Sequence, residues 1–400
     1  MDTELLRSLA TANDTKILLC VVDGLGGLPE PVTRRSELEA AAVANLDHLA
    51  GDSVCGLTLP VGYGVTPGSG PGHLALFGYD PLKYEVGRGV LEALGIDFDL
   101  QPSDVAARGN FCTLDAEGRI ADRRAGRVAS DVAAELCERL RGITLPAVEV
   151  LVEPVREHRF VLVLRGDGLD DRLAQTDPER EGVPPLPVRA IDAAAKSTAD
   201  LANEFVRKAR ELLSDQQQAN GLLLRGFAKY PNLPPLPEVT RMNAGAFAVY
   251  PMYRGLAKLV GMTAAPGGGT QESQLDALAE RWDEFDFHFY HYKKADTAGE
   301  DGNFRGKVEA LEEFDGLVPH LRELNADVLM IAGDHSTPAQ LAGHSWHPVP
   351  FLLWSRLGAA DPVDAFTEDA CRRGALGTFP AKEALSLAMA HAGRLMKFGA

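Results

Sequence analysis

The 400-residue chain is short of basic charge, of cysteine and of long apolar runs. Lysine and arginine number 40 against 57 aspartates and glutamates, a net charge of −17. That balance argues against a nucleic-acid or anionic-membrane partner, whose phosphates call for a basic face. It leaves room for a small anionic substrate, because a local arginine cluster reverses the field inside a cleft. The five cysteines, Cys20, Cys55, Cys112, Cys137 and Cys371, are scattered and lack CxxC spacing. A disulfide framework or thiolate zinc site is therefore not expected, and a reducing cytoplasm fits. No run of about 18 apolar residues exists, so no membrane span is expected. Met1–Thr15 lacks the basic start and apolar run of a signal peptide. What is present is a globular composition, 45% hydrophobic and 24% charged, without repeats. The length suggests about two to three domains.

Lys16–Val22 (KILLCVV) reads as a buried strand of the parallel kind, ending in Asp23 and a glycine-rich turn. Asp327–Ala332 (DVLMIA) is a second such strand, followed by Gly333-Asp334-His335-Ser336. Phe285–Tyr290 (FDFHFY) is a third, leading to Lys293, Lys294, Ala295 and Asp296. Pro348–Trp354 is a fourth. Strands that end in Asp or a polar pair bring site residues to one sheet edge in α/β enzymes. Glu37–Leu49 and Asp192–Leu213 have helical spacing, whereas Leu59–Pro71 is too rich in Gly and Pro for a helix interior. The segment from about 80 to 237 has its own apolar runs, including Arg159–Leu164, and ends in a stiff linker, Pro231–Pro237. Site strands lie on both sides of it, which predicts a core domain, 1–79 with 238–400, interrupted by an inserted domain, 80–237.

Five clusters carry chemistry. Asp23 follows a strand, though Asp and Gly also favour plain turns. Ser69 sits in Pro67-Gly68-Ser69-Gly70-Pro71-Gly72-His73, where glycines allow close backbone approach; a serine needs a base or metal to become nucleophilic. His73 follows four residues on, on the same side if a helix starts there. Asp334-His335 offers oxygen and nitrogen ligands suited to zinc or manganese. His344 and His347 flank Ser345-Trp346, and either or both could reach a site. Asp296 and Glu300 have i, i+4 spacing and can converge on one ion; the plainer reading is an acidic, solvated loop. One hydroxyl, several carboxylates and two or three histidines together suit two-metal phosphoryl transfer.

These motifs resemble the alkaline phosphatase superfamily and, within it, the archaeal-type cofactor-independent phosphoglycerate mutases. The resemblance covers most of the chain and is carried by VVDGLGGLP (21–29), TPGSGPGHLALFGYDP (66–81), GRGVLEALG (87–95), RGNFCTLD (108–115), GRIADRRAGR (118–127), RGFAKYPNLP (225–234), KKADTAGEDGN (293–303) and GDHSTPAQLAGHSWHPVP (333–350). It implies an alkaline-phosphatase-like α/β core with a mostly parallel sheet flanked by helices, an inserted α/β (α+β) substrate domain, and an active site between them. It implies two divalent ions, one held by Asp23, Ser69, Asp334 and His335, the other by Asp296, Glu300 and His344. The family has His where this chain has Glu300, which favours harder ions such as manganese or magnesium over zinc; the expected ions are manganese, with magnesium, cobalt or zinc as alternatives. The substrate would be a small phosphorylated three-carbon acid, and Ser69 the nucleophile that carries a phosphoryl group between two hydroxyls of glycerate. Asp122 and Asp177 are the acid/base candidates. Arg88, Asn110, Arg123, Arg124, Arg127, Arg165, Arg225 and Lys229 are the substrate-binding candidates.

Two other readings share these motifs. A phosphatase or phosphotransferase of the same superfamily would keep the core and differ in the insert. A metabolite sensor would have lost the nucleophile or ligands, whereas Ser69 and five of the six mapped protein ligands have the family identity.

Overall fold

The computed structural model describes residues 2–266 and 269–399. The chain divides into two compact units, Met1–Glu85 with Leu233–Ala400, and Val86–Asn232. In chain order the strands are β1 (Ile17–Val22), β2 (Val54–Leu59), β3 (Val105–Leu114), β4 (Ile120–Asp122), β5 (Glu149–Arg156), β6 (Arg159–Arg165), β7 (Gly221–Ala228), β8 (Ala244–Phe247), β9 (Thr263–Ala264), β10 (Phe287–Tyr292), β11 (Val328–Ala332), β12 (Val349–Ser355) and β13 (Gly377–Pro380).

The first unit is built on an eight-stranded sheet of order β13-β2-β12-β11-β1-β10-β8-β9. β1 is buried at all six positions because helices cover both faces of the sheet, and its branched side chains suit that setting. Each fully buried Val, Leu or Ile contributes roughly 1.5–3 kcal/mol. β1 pairs in parallel with β10 and β11, with Val22 opposite Tyr292 and Val21 opposite Ala332. The residues after these three strands therefore emerge at the same edge. β12 departs from the parallel pattern, running antiparallel to both β11 and β2.

The second unit is an antiparallel sheet. β3 pairs with β4, β6 and β7, and β6 pairs with β5. The helices Ser130–Arg141 and Lys196–Leu213 pack on it, and so does Arg88–Gly95. Among the described residues no helix is long and apolar enough to cross a membrane.

Two sequence expectations are corrected and one is refined. Glu37–Leu49 is two helices, Glu37–Ala40 and Ala44–Gly51, with Ala41 extended between them. The break is stabilised from a distance: Asp315 accepts from the Asn45 and Leu46 N–H groups at 3.3 and 2.7 Å, capping the second helix. The Gly/Pro-rich stretch ending at Pro71 already contains a helix start, since Ser69–Leu76 is helical; proline is tolerated in a first turn, where its missing N–H has no intrahelical partner. The third site strand lies two residues later than its apolar run suggested, at Phe287–Tyr292.

His288 on β10 is buried, with its ring stacked on Trp282 at 4.1 Å and Nε2 3.0 Å from the Trp282 carbonyl oxygen. Burial pushes its pKa down to about 4. The unfolded chain, near 6.5, takes up the proton first as pH falls, so this stability is full above 6.5 and is lost towards 4. The loss is about 1.4 kcal/mol per pH unit. His288→Phe keeps the stack, and the Trp282 carbonyl retains Lys16 Nζ as a donor. Denaturant unfolding of this variant should show a shallower fall in stability between pH 6.5 and 4; an unchanged slope would rule out His288 as a source of acid sensitivity.

Candidate active site

At the shared edge, Asp23 follows β1, Asp334 and His335 follow β11, and Asp296 lies on the helix Lys294–Glu300 that follows β10. All four are buried. Two glycines permit the approach. Gly24 has φ +67°, and a Cβ there would lie 2.8 Å from the Asp296 Cα. A Cβ on Gly72 would overlap the Asp334 carbonyl oxygen, so only glycine lets the Ser69 helix come this close to the end of β11.

Ser69 is the first residue of its helix, and its Oγ is 3.2 Å from His335 Nε2. The same nitrogen lies 3.2 Å from Asp334 Oδ2 and 3.4 Å from Asp23 Oδ1. His344 stacks on His335 with centroids 3.7 Å apart, and its Nε2 is 3.6 Å from both Asp296 Oδ1 and Glu300 Oε1. Its Nδ1 donates to the Pro67 carbonyl at 2.9 Å, which leaves the Nε2 lone pair free on the side of Asp296 and Glu300.

Two groups of side chains have ligand atoms within 4.8 Å of one another: Asp23, Asp334 and His335, and Asp296, His335 and His344. His335 thus belongs to both. Glu300 stands outside the tight groups, exposed at the end of its helix and reaching the second only through His344. His347 joins neither; its Nδ1 is 3.0 Å from Ser345 Oγ.

The chemistry of this set fits cations. Asp23 Oδ1 and Asp334 Oδ2 are buried and accept no well-aligned hydrogen bond, an arrangement that costs several kcal/mol per charge unless a positive group compensates. One is present: Lys293 Nζ lies 3.2 Å from Asp23 Oδ2 and bonds Asp296 Oδ2. Burial would raise the Asp23 carboxyl, but Lys293 and the His291 hydrogen bond hold it well below its ordinary value. Burial and the neighbouring Asp23 push Asp296 up. His344 goes up to about 9; burial opposes the shift, and Glu300 and Asp296 outweigh it.

Behind the candidate ligands stand His291 and Tyr253, which the motifs did not single out, and His73, which the serine loop did. His291 Nε2 is 3.1 Å from Asp23 Oδ2, and the Tyr253 ring stacks on His291 at 3.7 Å. His73, one turn after Ser69, directs Nδ1 to the Ser69 carbonyl at 2.8 Å and lies 3.1 Å from Asp334 Oδ2. A histidine at alternate spacing in an apolar strand, as His291 is in FHFYHY, was the available signal.

Within the second unit, Arg108 and Asn110 share one face of β3, and Arg225 sits opposite Arg108 on β7. Arg108 Nε donates to Asn110 Oδ1 at 3.2 Å. Burial, with Arg159, Arg88 and Arg225 nearby, pushes Arg108 down to about 9 even though Glu92 counters it. Arg123 grips Asp177 with two hydrogen bonds, 3.0 and 2.7 Å, and Arg225 lies 3.3 Å from the same carboxylate. Asp122 accepts from the Arg124 and Gly126 N–H groups at 2.7 and 2.5 Å and so shapes the turn that exposes Arg124 and Arg127. Arg165 is set apart: it follows Leu164, opposite Val105 at the far end of β3 from Asp122, and is paired with Asp104 through bonds of 2.9 and 2.8 Å. Lys229 is half-buried, its N–H donating to Asp171 at 2.8 Å. Arg108 was missed as a candidate, although it opens the RGN motif that supplied Asn110.

A family model described as 2,3-bisphosphoglycerate-independent phosphoglycerate mutase matches residues 50–219. A protein of Thermotoga neapolitana named "probable 2,3-bisphosphoglycerate-independent phosphoglycerate mutase" is 50% identical over 399 residues, 99% of this chain and 98% of that protein. The chain belongs to the 2,3-bisphosphoglycerate-independent phosphoglycerate mutase family. A Thermus thermophilus relative of the same name is also 50% identical, over 99% of this chain and 98% of its own. Among solved structures, a Pyrococcus horikoshii protein matches with TM-score 0.84 and 27% identity, over 97% of this chain and 100% of that one. A cofactor-independent phosphoglycerate mutase from Thermoplasma acidophilum matches with TM-score 0.68 and 30% identity, over 95% and 100%. The mostly parallel α/β core is thus a family property.

With His344 raised to about 9, an ion bound through its Nε2 must displace a proton at neutral pH. Manganese affinity of the metal-free protein should therefore rise with pH up to about 9. Calorimetry in buffers of different ionisation enthalpy should show proton release, and an affinity flat from neutrality upwards would remove His344 from the ligand set. Glu300→His should shift preference from manganese towards zinc; an unchanged metal profile would show that Glu300 does not ligate.

Proposed function

We propose that the chain interconverts 3-phosphoglycerate and 2-phosphoglycerate through a phosphoserine on Ser69, with two divalent ions and no 2,3-bisphosphoglycerate. The observation that carries this reading is the Ser69 hydroxyl at a helix N-terminus, 3.2 Å from His335 Nε2 and beside the buried Asp23 and Asp334 carboxylates, each with one oxygen that accepts no well-aligned hydrogen bond. Asp23, Ser69, Asp334 and His335 would hold one ion, and Asp296, Glu300 and His344 the other; manganese suits this oxygen-rich set, with magnesium, cobalt and zinc as alternatives. Bound there, the ions would polarise the phosphoryl oxygens and favour the serine alkoxide.

The chain's own groups do the rest. Ser69 Oγ bonds to phosphorus as the bond to the substrate's 3-oxygen breaks, and that oxygen takes a proton. The 2-hydroxyl then loses a proton and bonds to phosphorus as the Oγ–P bond breaks, so no water or second substrate is consumed. The helix N-terminus at Ser69 favours the negative charge of the phosphoseryl group. Arg88, Arg108, Asn110, Arg123, Arg124, Arg127, Arg225 and Lys229 supply donors for phosphate and carboxylate; Arg165, held by Asp104, stabilises the sheet instead. Asp122 is our proton carrier, since each of its oxygens keeps a lone pair beyond its backbone bond. Asp177, held low by Arg123 and Arg225 against the opposing effect of burial, positions those two guanidiniums. All five cysteines are free and buried, in keeping with a cytoplasmic setting.

Manganese-loaded protein given 3-phosphoglycerate should form 2-phosphoglycerate without added bisphosphoglycerate and with little inorganic phosphate. Phosphate without isomer would replace the mutase with a phosphatase. Ser69→Ala should lower the rate by at least about a thousandfold, and isomerisation by that variant would reject the phosphoserine route.

A further inference from the structure

Thr337 lies two residues beyond His335 and is buried. Its Oγ1 is 2.7 Å from Asp296 Oδ1 and 2.9 Å from His335 Nδ1. A hydroxyl has one hydrogen to give. Asp296, whose other oxygen bonds the Lys293 ammonium, is a carboxylate and can only accept. The hydroxyl hydrogen therefore goes to Asp296, and the Thr337 oxygen must accept from His335. That requires the proton on Nδ1, which leaves the Nε2 lone pair directed at Ser69 Oγ, Asp334 and Asp23.

This direction decides something the grouping of ligands leaves open, because His335 belongs to both candidate groups. With a bare Nδ1, which lies 3.9 Å from Asp296 Oδ1, it would face the Asp296 and His344 group instead. Thr337 is itself held in place. Its N–H donates to the Gly26 carbonyl at 3.0 Å, and its own carbonyl accepts from Lys307 Nζ at 2.9 Å. Lys307, fully buried on the helix Phe304–Glu323, also donates to the Gly26 carbonyl at 2.8 Å. One ammonium thus ties the loop after β1 to the loop after β11. On the other side Gly24 leaves room for the hydroxyl, since a Cβ there would lie 2.6 Å from Thr337 Oγ1.

We propose that Thr337 is a positioning residue that fixes His335 as its Nδ1–H tautomer, assigns that imidazole to the ion at Ser69 alone, and links it to Asp296 of the other ion's ligand set. The inference rests on the two-ion reading above. Its variants are Thr337→Val, which keeps the shape and removes the hydroxyl, and Thr337→Ser, which keeps the hydroxyl.

Manganese is titrated by calorimetry into metal-free protein, with melting temperatures taken alongside. Wild type and Thr337→Ser should each take two ions with similar affinity. Thr337→Val should bind about 10- to 100-fold more weakly, the usual effect of removing a group that orients a ligand. Nitrogen-15 NMR of histidine-labelled, metal-free wild type at alkaline pH, with His335 assigned through His335→Gln, should show the Nδ1–H tautomer. This readout stands even if Thr337→Val fails to fold. Wild type that takes no manganese would overturn the metal reading itself. Two ions in wild type, with equal affinity in Thr337→Val, would overturn the role of Thr337 alone. So would a Thr337→Ser that binds no better than Thr337→Val, or an Nε2–H tautomer in wild type.

Discussion

Three carboxylates, Asp23, Asp296 and Asp334, are held out of water at one edge of a parallel sheet, and the arrangement around them follows from that. Two like charges 4 Å apart repel by about 4 kcal/mol even at an effective dielectric of 20. Burial adds a desolvation cost that only cations and well-placed donors offset. Lys293 supplies one positive charge, the backbone N–H of Gly24 reaches Asp334 Oδ1 at 3.1 Å, and His291 reaches Asp23. Metal ions are the natural remainder of the balance, and the serine that would carry phosphate sits within reach of the same imidazole.

One cluster in the second unit has the opposite imbalance. Burial, together with the nearby Arg159, Arg88 and Arg225, lowers the Arg108 guanidinium. Glu92, Asp177 and Glu179 answer only part of that charge. A small polyanion with a carboxylate and a phosphate is the kind of ligand such a cluster favours. Each unit thus holds one unbalanced local cluster, acidic in the first and basic in the second, in a protein whose overall charge is strongly negative.

Much of this was legible in the sequence, for a local reason. A buried strand shows as an apolar run, and an Asp directly after it has nowhere to go but the strand's end, so Asp23 and Asp334-His335 could be read without knowing the partners. Ser69 was readable from the glycines that let its helix approach. What stayed hidden depends on residues far apart in the chain. Lys307 and Glu37 look like ordinary helix-surface charges, yet both are fully buried: Lys307 binds two carbonyls, and Glu37 accepts from the Ala339 N–H at 2.7 Å. The break after Ala40 depends on Asp315, some 270 residues away. Thr337 sits inside a recognised motif, but its two partners are visible only in three dimensions. Arg165 fitted a basic pattern, but its pairing with Asp104 at the Val105 end of the sheet shows only in three dimensions.

The order of these parts along the chain has a consequence for biosynthesis. β1, the sheet's central strand, is made early, yet Asp23 and its partner His291 are 268 residues apart. At about 5–20 residues per second, a ribosome needs roughly a quarter of a minute to a minute to cover that distance. The Val86–Asn232 unit is contiguous and completes in the meantime. A nascent chain thus holds an apolar strand without its sheet neighbours for much of its synthesis, and Asp23 cannot meet Asp334 and His335 until β11 and its loop have emerged. The unpaired β1 is the segment a chaperone would have most reason to shield.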